Sequence, residues 1–322
     1  MHRLANALCK RGHHITCVSY SPRPESAAYD HVKLAYRSTA KVLRKIDPAR
    51  KFCSIRAAGY DILHYHGDDY LVRDEKRRLR TFYGSALNEA LHARKPGRFF
   101  YQGLFYLFEW LSCLNQGIKV GISKATCTAL PMVSTVIPCG VPLNLYTPSN
   151  GKTEYPSILF VGDLGSRKRG DLLVTLFNND IIKKYPDCRL TVVGPEPCSG
   201  ENIRYLGHIS EEELIAEYRK AWLYCMPSSY EGFGVPAIEA MACGSVVVAC
   251  DNRGIREIIE NNRNGMITDD ANLSYTIRRL LSDDTLRDRL VGGGIETVKK
   301  DYDIDSVAAR YEELYRFLSY LE

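Results

Sequence analysis

The stretch SVVVACD (245–251) sets the tightest constraint on this chain. It is an uninterrupted β-branched run with no polar alternation. Such a strand is buried on both faces, which requires helices above and below it and hence a parallel sheet. Comparable runs recur at SILFVGD (157–163), RLTVVGP (189–195), NIRYLGH (202–208), LYCMPS (223–228) and GMITD (265–269). The first half offers HHITCVSY (13–20), HVKLAYR (31–37), DILHYHG (61–67), KVGIS (119–123) and STVIPCG (134–140). Helical patterns separate them, among them LLVTLFNNDIIKKY (172–185) and EEELIAEYRKAW (211–222). Strands alternating with helices predict an α/β fold with parallel sheets. The polar run TPSNGKTEYP (147–156), with its two prolines and a glycine, reads as a linker. The 322 residues suit two domains of ordinary size. The expected division is 1–146, the linker 147–156, a second domain 157–303 and a last amphipathic helix in 304–322 that packs back across the linker.

The segment SSYEGFGVPAIEAMACG (228–244) lies between two of these strands. Pro236 suits the start of a helix, because its fixed φ is pre-set and its missing N–H has no partner there. Gly244 can close that helix with a positive φ. The order is therefore strand, glycine turn, helix. Glu231 falls on the turn and Glu239 in the opening turn of the helix, both at the carboxyl edge of a parallel sheet, where open α/β folds bind ligands. The N–H groups of Gly232, Phe233 and Gly234 and the helix N-terminus suit an anion such as phosphate. The plainer reading is that Glu239 complements the helix dipole and the glycines only make a tight turn.

Charge divides the chain. Residues 1–150 hold 22 Lys and Arg against 10 Asp and Glu, whereas the remainder holds 21 against 28. Basic runs occur at KVLRKIDPARK (41–51) and RDEKRRLR (73–80), and the aromatic FFYQGLFYLFEWL (99–111) follows ARKPGR (93–98). A basic half of this kind suits an anionic membrane surface or a phosphorylated acceptor, or else is a solvated face. Nucleic acid is the weaker partner, since no recognised nucleic-acid motif accompanies the charge. The apolar stretch at 99–111 is too short to span a bilayer. The opening MHRLANALCKRGHH is amphipathic and basic, unlike the apolar core of a signal peptide, so a cytoplasmic chain, peripheral on the inner face of a membrane, is the expectation. The eleven cysteines are scattered without a CxxC pair and read as small buried residues. Asp68-Asp69 beside His66 lacks the spacing of a DxD metal motif and reads as a solvated loop; no metal and no cofactor are expected.

The motif EGFGxPxxEAMAxG resembles the signature of retaining, GT-B-fold glycosyltransferases of family 4, glycosyl transferases group 1. Other segments are similar in the same order: LANALCKRGHHITCVS (4–19), DILHYHG (61–67), VGISKA (120–125), VIPCGVPLNLYTP (136–148), LFVGDLGSRKRGDLL (159–173) and RGIREIIENNRNGMI (253–267). The resemblance implies two Rossmann-like domains with a cleft between them and transfer of a sugar from a nucleotide sugar to a hydroxyl acceptor. The charge asymmetry, not the resemblance, points to a lipid-linked or polysaccharide glycan as that acceptor. The resemblance implies that Glu231 sits near the donor sugar and that Glu239 holds the ribose hydroxyls. Gly232, Phe233 and Gly234 would lie near sugar and diphosphate, and the leaving diphosphate would be neutralised by Lys168, with Arg169 and Arg167 as alternatives. His66 would approach the transferred sugar as a neutral imidazole. His64, taken as its neighbour on the opposite strand face, is expected in the core. The alternative is a non-catalytic or truncated relative that binds nucleotide sugars.

Three departures from the family pattern stand out. Asp163 occupies the place of a phosphate-binding arginine and would repel a diphosphate. Tyr83, in TFYGS (81–85), stands where the family often has histidine. The family's first strand and glycine-rich loop are not found before the first helix, so an incomplete start to the N-terminal domain is expected.

Overall fold

A computed structural model describes residues 1–36, 43–54, 59–72, 77–93, 96–149 and 151–320. Residues 41–42, 73–76 and 94–95 of the three basic runs, residue 150 of the expected linker and 321–322 lie outside the described residues. The chain forms two compact units. One comprises Met1–Leu91, Gly97–Gly140 and Ile304–Glu322; the other comprises His92–Pro96 and Val141–Asp303.

In chain order the first part carries α1 (His2–Lys10), β1 (Thr16–Ser19), β2 (Asp30–Lys33), α2 (Leu43–Cys53), β3 (Leu63–Tyr65), β4 (Arg78–Phe82), α3 (Ala86–Leu91), α4 (Pro96–Leu114), β5 (Ile118–Gly121), α5 (Lys124–Ala129) and β6 (Thr135–Val136). Strands β1 and β2 pair with each other, and β3-β4-β5-β6 form a separate sheet, all parallel. The second part carries β7 (Ser157–Val161), α6 (Gly170–Leu176), α7 (Ile182–Lys184), β8 (Arg189–Val193), β9 (Ile203–Tyr205), α8 (Glu211–Lys220), β10 (Leu223–Met226), α9 (Val235–Ala242), β11 (Val246–Cys250), β12 (Met266–Thr268), α10 (Leu273–Ser282) and α11 (Asp284–Asp301). The chain then returns to the first unit in α12 (Ile304–Ser319), whose Val307, Ala308 and Tyr311 share a buried cluster with Leu4 and Leu8 of α1 and Leu79 of β4. No described helix is long and apolar enough to cross a membrane.

The second unit has the strand order β12-β11-β10-β7-β8-β9, all parallel. Its six expected strands are all present. Each position of β10 and β11 is buried, as an all-apolar run demands. Helix α8 begins on a capping box, in which Ser210 and Glu213 satisfy each other's backbone donors. Helix α9 follows Gly234 at φ 117°, and Gly244 after it has φ 79°. The expected helix over 172–185 is interrupted by a π-helical turn at Phe177–Ile181, whose Phe177 and Ile181 are both buried. The polar segment before β7 lies along this unit: Thr153 N–H donates to the Lys220 carbonyl, and Lys152 Nζ to that of Ala221 at 2.5 Å.

Two sequence expectations need correction in the first unit. The basic run 73–80 reads as surface, facing an anionic partner or solvent, yet Arg78–Phe82 is a strand buried at all five positions. Arg78 and Arg80 are 2% and 9% exposed. Asp69, expected on a solvated loop, is 1% exposed and pairs with both arginines while accepting from Ser112 Oγ at 2.5 Å. A buried carboxylate between two buried guanidiniums offsets part of the desolvation of all three.

Candidate active site

In the second unit the sequence order runs outward from β7 through β8 and β9 on one side, then through β10, β11 and β12 on the other. Ligands in open α/β sheets sit outside the carboxyl ends of the strands at such a reversal. Two connections meet there. The loop 162–169 leaves β7, and the turn 227–234 leaves β10.

Glu231 is the centre of this place. It is 4% exposed, and its carboxylate accepts from Lys168 Nζ at 2.7 Å and from Arg167 Nη1 at 3.0 Å. Burial alone would raise its pKa; Lys168 and then Arg167 outweigh this and hold it below the ordinary carboxylate range. Glu231 is therefore ionised at neutral pH. Arg167 also donates to the Tyr230 carbonyl at 2.8 Å, which fixes the guanidinium against the turn. Lys168 is half-buried, and its stem crosses Gly162, where an added Cβ would stand 3.0 Å from Lys168 Cγ. Lys168 and Arg167 against Glu231 leave this triad one net positive charge, which Asp163 on the same loop and Glu196, bound to that loop's amides, oppose.

Arg169 is not brought to this cluster. It adopts the left-handed conformation (φ 52°) at the start of α6, donates from Nε to the Pro227 carbonyl at 2.6 Å, and forms a two-pronged pair with Asp270. The N–H groups of Gly232, Phe233 and Gly234 donate to no partner among the described residues, so the turn presents three amides in sequence. The Phe233 ring itself is buried, edge-on to Tyr302 at 5.5 Å. Glu239 lies in the fifth position of α9, past the opening turn expected for it, and is 6% exposed. Its Oε2 accepts from the Tyr218 hydroxyl at 3.1 Å, and burial keeps Tyr218 protonated and able to donate.

Two neighbours of the candidate site escaped the sequence reading. Glu196 follows β8, and its Oε2 accepts from the Leu164 and Gly165 N–H groups at 2.7 and 3.0 Å, filling the glycine loop with a carboxylate. The signal was a strand-end acid (VVGPE) facing another strand's glycine loop. Gly254 packs so closely on the turn after β10 that a Cβ there would lie 2.3 Å from the Glu231 carbonyl oxygen. Asp163 makes no hydrogen bond or ion pair among the described residues and is half-buried.

His66 belongs to the first unit, just after β3. Its Nδ1 is 2.9 Å from the Tyr83 hydroxyl, so the tyrosine in the histidine's place is its partner. His64 is two residues away and therefore on the same strand face, not the opposite one. The two rings are 4.0 Å apart. His64 is tied to Thr81 and Tyr315 at 2.8 and 2.7 Å, as a core histidine should be. Burial, reinforced by Arg80, pushes His64 down to about 3, and burial with the adjacent His64 pushes His66 down as well. Both imidazoles are neutral.

Residues 146–297 match the family described as glycosyl transferases group 1. The chain is 29% identical over 204 residues to the phosphatidyl-myo-inositol mannosyltransferase of Mycobacterium leprae, an alignment covering 58% of this chain and 54% of that protein. It is 25% identical over 295 residues to the glycogen synthase of Mycobacterium tuberculosis, covering 79% and 68%. The chain spans about half the length of the mannosyltransferases it matches. Among solved structures, sucrose-phosphate synthase from Thermosynechococcus elongatus superposes with a TM-score of 0.82 at 23% identity, over 98% of this chain and 92% of that one. Anabaena HepE in complex with UDP and glucose gives 0.75 at 16% identity, over 99% and 94%. These likenesses show the fold, which is GT-B.

Proposed function

We propose, on the premise that residues 146–297 belong to the glycosyl transferases group 1, that this chain transfers a hexose from a nucleotide sugar to a hydroxyl acceptor. The observation that carries the reading is the buried, ionised Glu231 held by Lys168 and Arg167 at the end of β7 and β10. In this reading the leaving diphosphate is met by Lys168, Arg167 and the amides of residues 232–234. Fixed donors of this kind stabilise charge as it develops and require no reorganisation during the reaction. These side chains take the place a divalent metal fills elsewhere, so transfer is proposed to need none. Glu231, an acceptor-only carboxylate, orients hydroxyls of the donor sugar, and Glu239 with Tyr218 those of the ribose. His66, neutral and held by Tyr83, is the first unit's candidate for meeting a reacting hydroxyl. Retention of anomeric configuration is part of this reading. So is a lipid-linked or polysaccharide acceptor at the inner face of a membrane, which the resemblance to a phosphatidyl-myo-inositol mannosyltransferase supports.

Thermal shift against UDP, GDP, ADP and their common sugars tests the donor site. A ligand at one hundred times its Kd adds about 2.7 kcal/mol. A selective shift with one base, persisting in EDTA, is expected. NMR of the product's anomeric proton then reports retention or inversion. No shift with any nucleotide overturns the reading.

A further inference from the structure

Helix α4 carries an apolar face that nothing in the described chain covers. Phe100, Leu104, Leu107, Leu111 and Leu114 are 73%, 49%, 59%, 45% and 65% exposed. Their spacing of four, three, four and three places all five within a narrow arc at 3.6 residues per turn. The opposite face is the one that holds the helix. Glu109 accepts from the Ala86 N–H at 3.0 Å, Ser112 donates to Asp69, and the Tyr106 hydroxyl donates to the Ala129 carbonyl at 2.8 Å. The helix's lone acid thus faces inward, and its lone base, Arg98, lies at the amino end, 53% exposed. Large side chains exposed in one contiguous row mark an interaction surface.

We propose that α4 lies flat on an anionic lipid bilayer, with this row inserted at the headgroup boundary. The proposal rests on the reading of a membrane acceptor and assigns the element that makes the contact. Charge decides between bilayer and second copy. The row follows the basic sequence ARKPGR, within a half that holds 22 basic against 10 acidic residues. Two such halves brought together repel, whereas anionic headgroups attract the same charge. A helix with one apolar face, a polar inward face and a basic stretch before it, not apolar enough to span, is an interfacial element.

Flotation of the full chain tests this, with vesicles of phosphatidylcholine alone or mixed with phosphatidylglycerol. Binding to the mixed vesicles is expected, falling as salt is raised. Leu104→Glu with Leu107→Glu should reduce it at least tenfold. Tyr275→Glu, a change at an exposed aromatic residue of the other unit, should leave it unaltered. Equal flotation of the α4 variant and parent, or none by the parent, overturns the proposal. So does a parent that sediments as a dimer and becomes monomeric in the α4 variant, which would make the row an interface between copies. Nucleotide thermal shifts on the same variants separate this outcome from failure of the donor reading, because α4 variants should keep them.

Discussion

Replacing Gly254 by alanine should distort the turn that carries Glu231, and the structure sets the size of the damage. A Cβ at Gly254 would stand 2.3 Å from the Glu231 carbonyl oxygen and 2.9 Å from its carbon. Ordinary C···O contact begins at about 3.3 Å, so the overlap is roughly an ångström. Both partners are backbone, and no rotamer relieves them. The backbone at Gly254 is helical (φ −67°, ψ −42°), so alanine suits it and stiffens the unfolded chain by about 0.4–1 kcal/mol. Overpacking of this kind costs about 1–3 kcal/mol, so the net loss lies between about 0 and 2.6 kcal/mol. The turn must also move, and Glu231 with it; a displacement of about 1 Å can cost about a hundredfold in rate. Urea midpoints and nucleotide-sugar turnover measure the two effects. Gly292→Ala serves as the control. It sits within α11 with nothing within 4 Å of its added Cβ, and should gain about 1 kcal/mol. A Gly254→Ala protein as stable and as active as the parent would refute the close packing of turn and segment.

Asp69→Ala should cost about 3–5 kcal/mol in urea unfolding, because it leaves Arg78 and Arg80 buried without their carboxylate. A loss under about 1 kcal/mol would show that water reaches that cluster. Lys168→Met removes a charged hydrogen bond and, in the proposed reading, should weaken nucleotide binding about 10- to 100-fold; because it leaves the buried Glu231 with Arg167 alone, it should also cost about 1–3 kcal/mol in urea unfolding. Unchanged affinity by calorimetry would move the phosphate elsewhere. Acid should destabilise the first unit early. His64 titrates at about 3 when folded, against about 6.5 unfolded, so the unfolded state takes the proton first and stability falls as pH drops below about 6.5. Glu312, held down to about 2 by its hydrogen bonds to Arg11 and His13, adds a loss that begins only below about 4.3. Urea midpoints equal at pH 7 and pH 5 would contradict the first of these, and His64→Phe should flatten that interval.

The six strands of the second unit were legible because burial on both faces leaves continuous apolar runs. Strand β4 was not. Its arginines at 78 and 80 read as solvent-facing, and only a partner nine residues upstream, Asp69, makes their burial tolerable. That partnership is tertiary and leaves no local pattern. The histidine spacing was legible and misread: residues two apart share a strand face. The resemblance brought Glu231, Lys168 and Arg167 forward, but three adjacent cations at 167–169 look alike in sequence. The left-handed turn at Arg169 is what sends one of them to Asp270 and leaves the other two on Glu231.

Asp163 raises the question of where a diphosphate goes if the β7 loop carries an acid in place of arginine. That loop is already occupied by charge: Glu196 takes the Leu164 and Gly165 amides at 2.7 and 3.0 Å. A phosphate there would displace one carboxylate and face another. The amides of residues 232–234 have no such competitor among the described residues, and Lys168 and Arg167, at the far end of the β7 loop, reach Glu231 on that turn. In the proposed reading the phosphates belong at the turn after β10, within reach of Lys168 and Arg167, rather than at the Leu164 and Gly165 amides. Glu196→Ala separates the two. If the carboxylate is a structural cap, its loss should cost about 1–2 kcal/mol of stability, as a lost helix or loop cap does, and leave nucleotide affinity unchanged or weaker. If the loop is the phosphate site, removing its competitor should tighten binding, and a several-fold lower Kd in calorimetry would refute the assignment to residues 232–234.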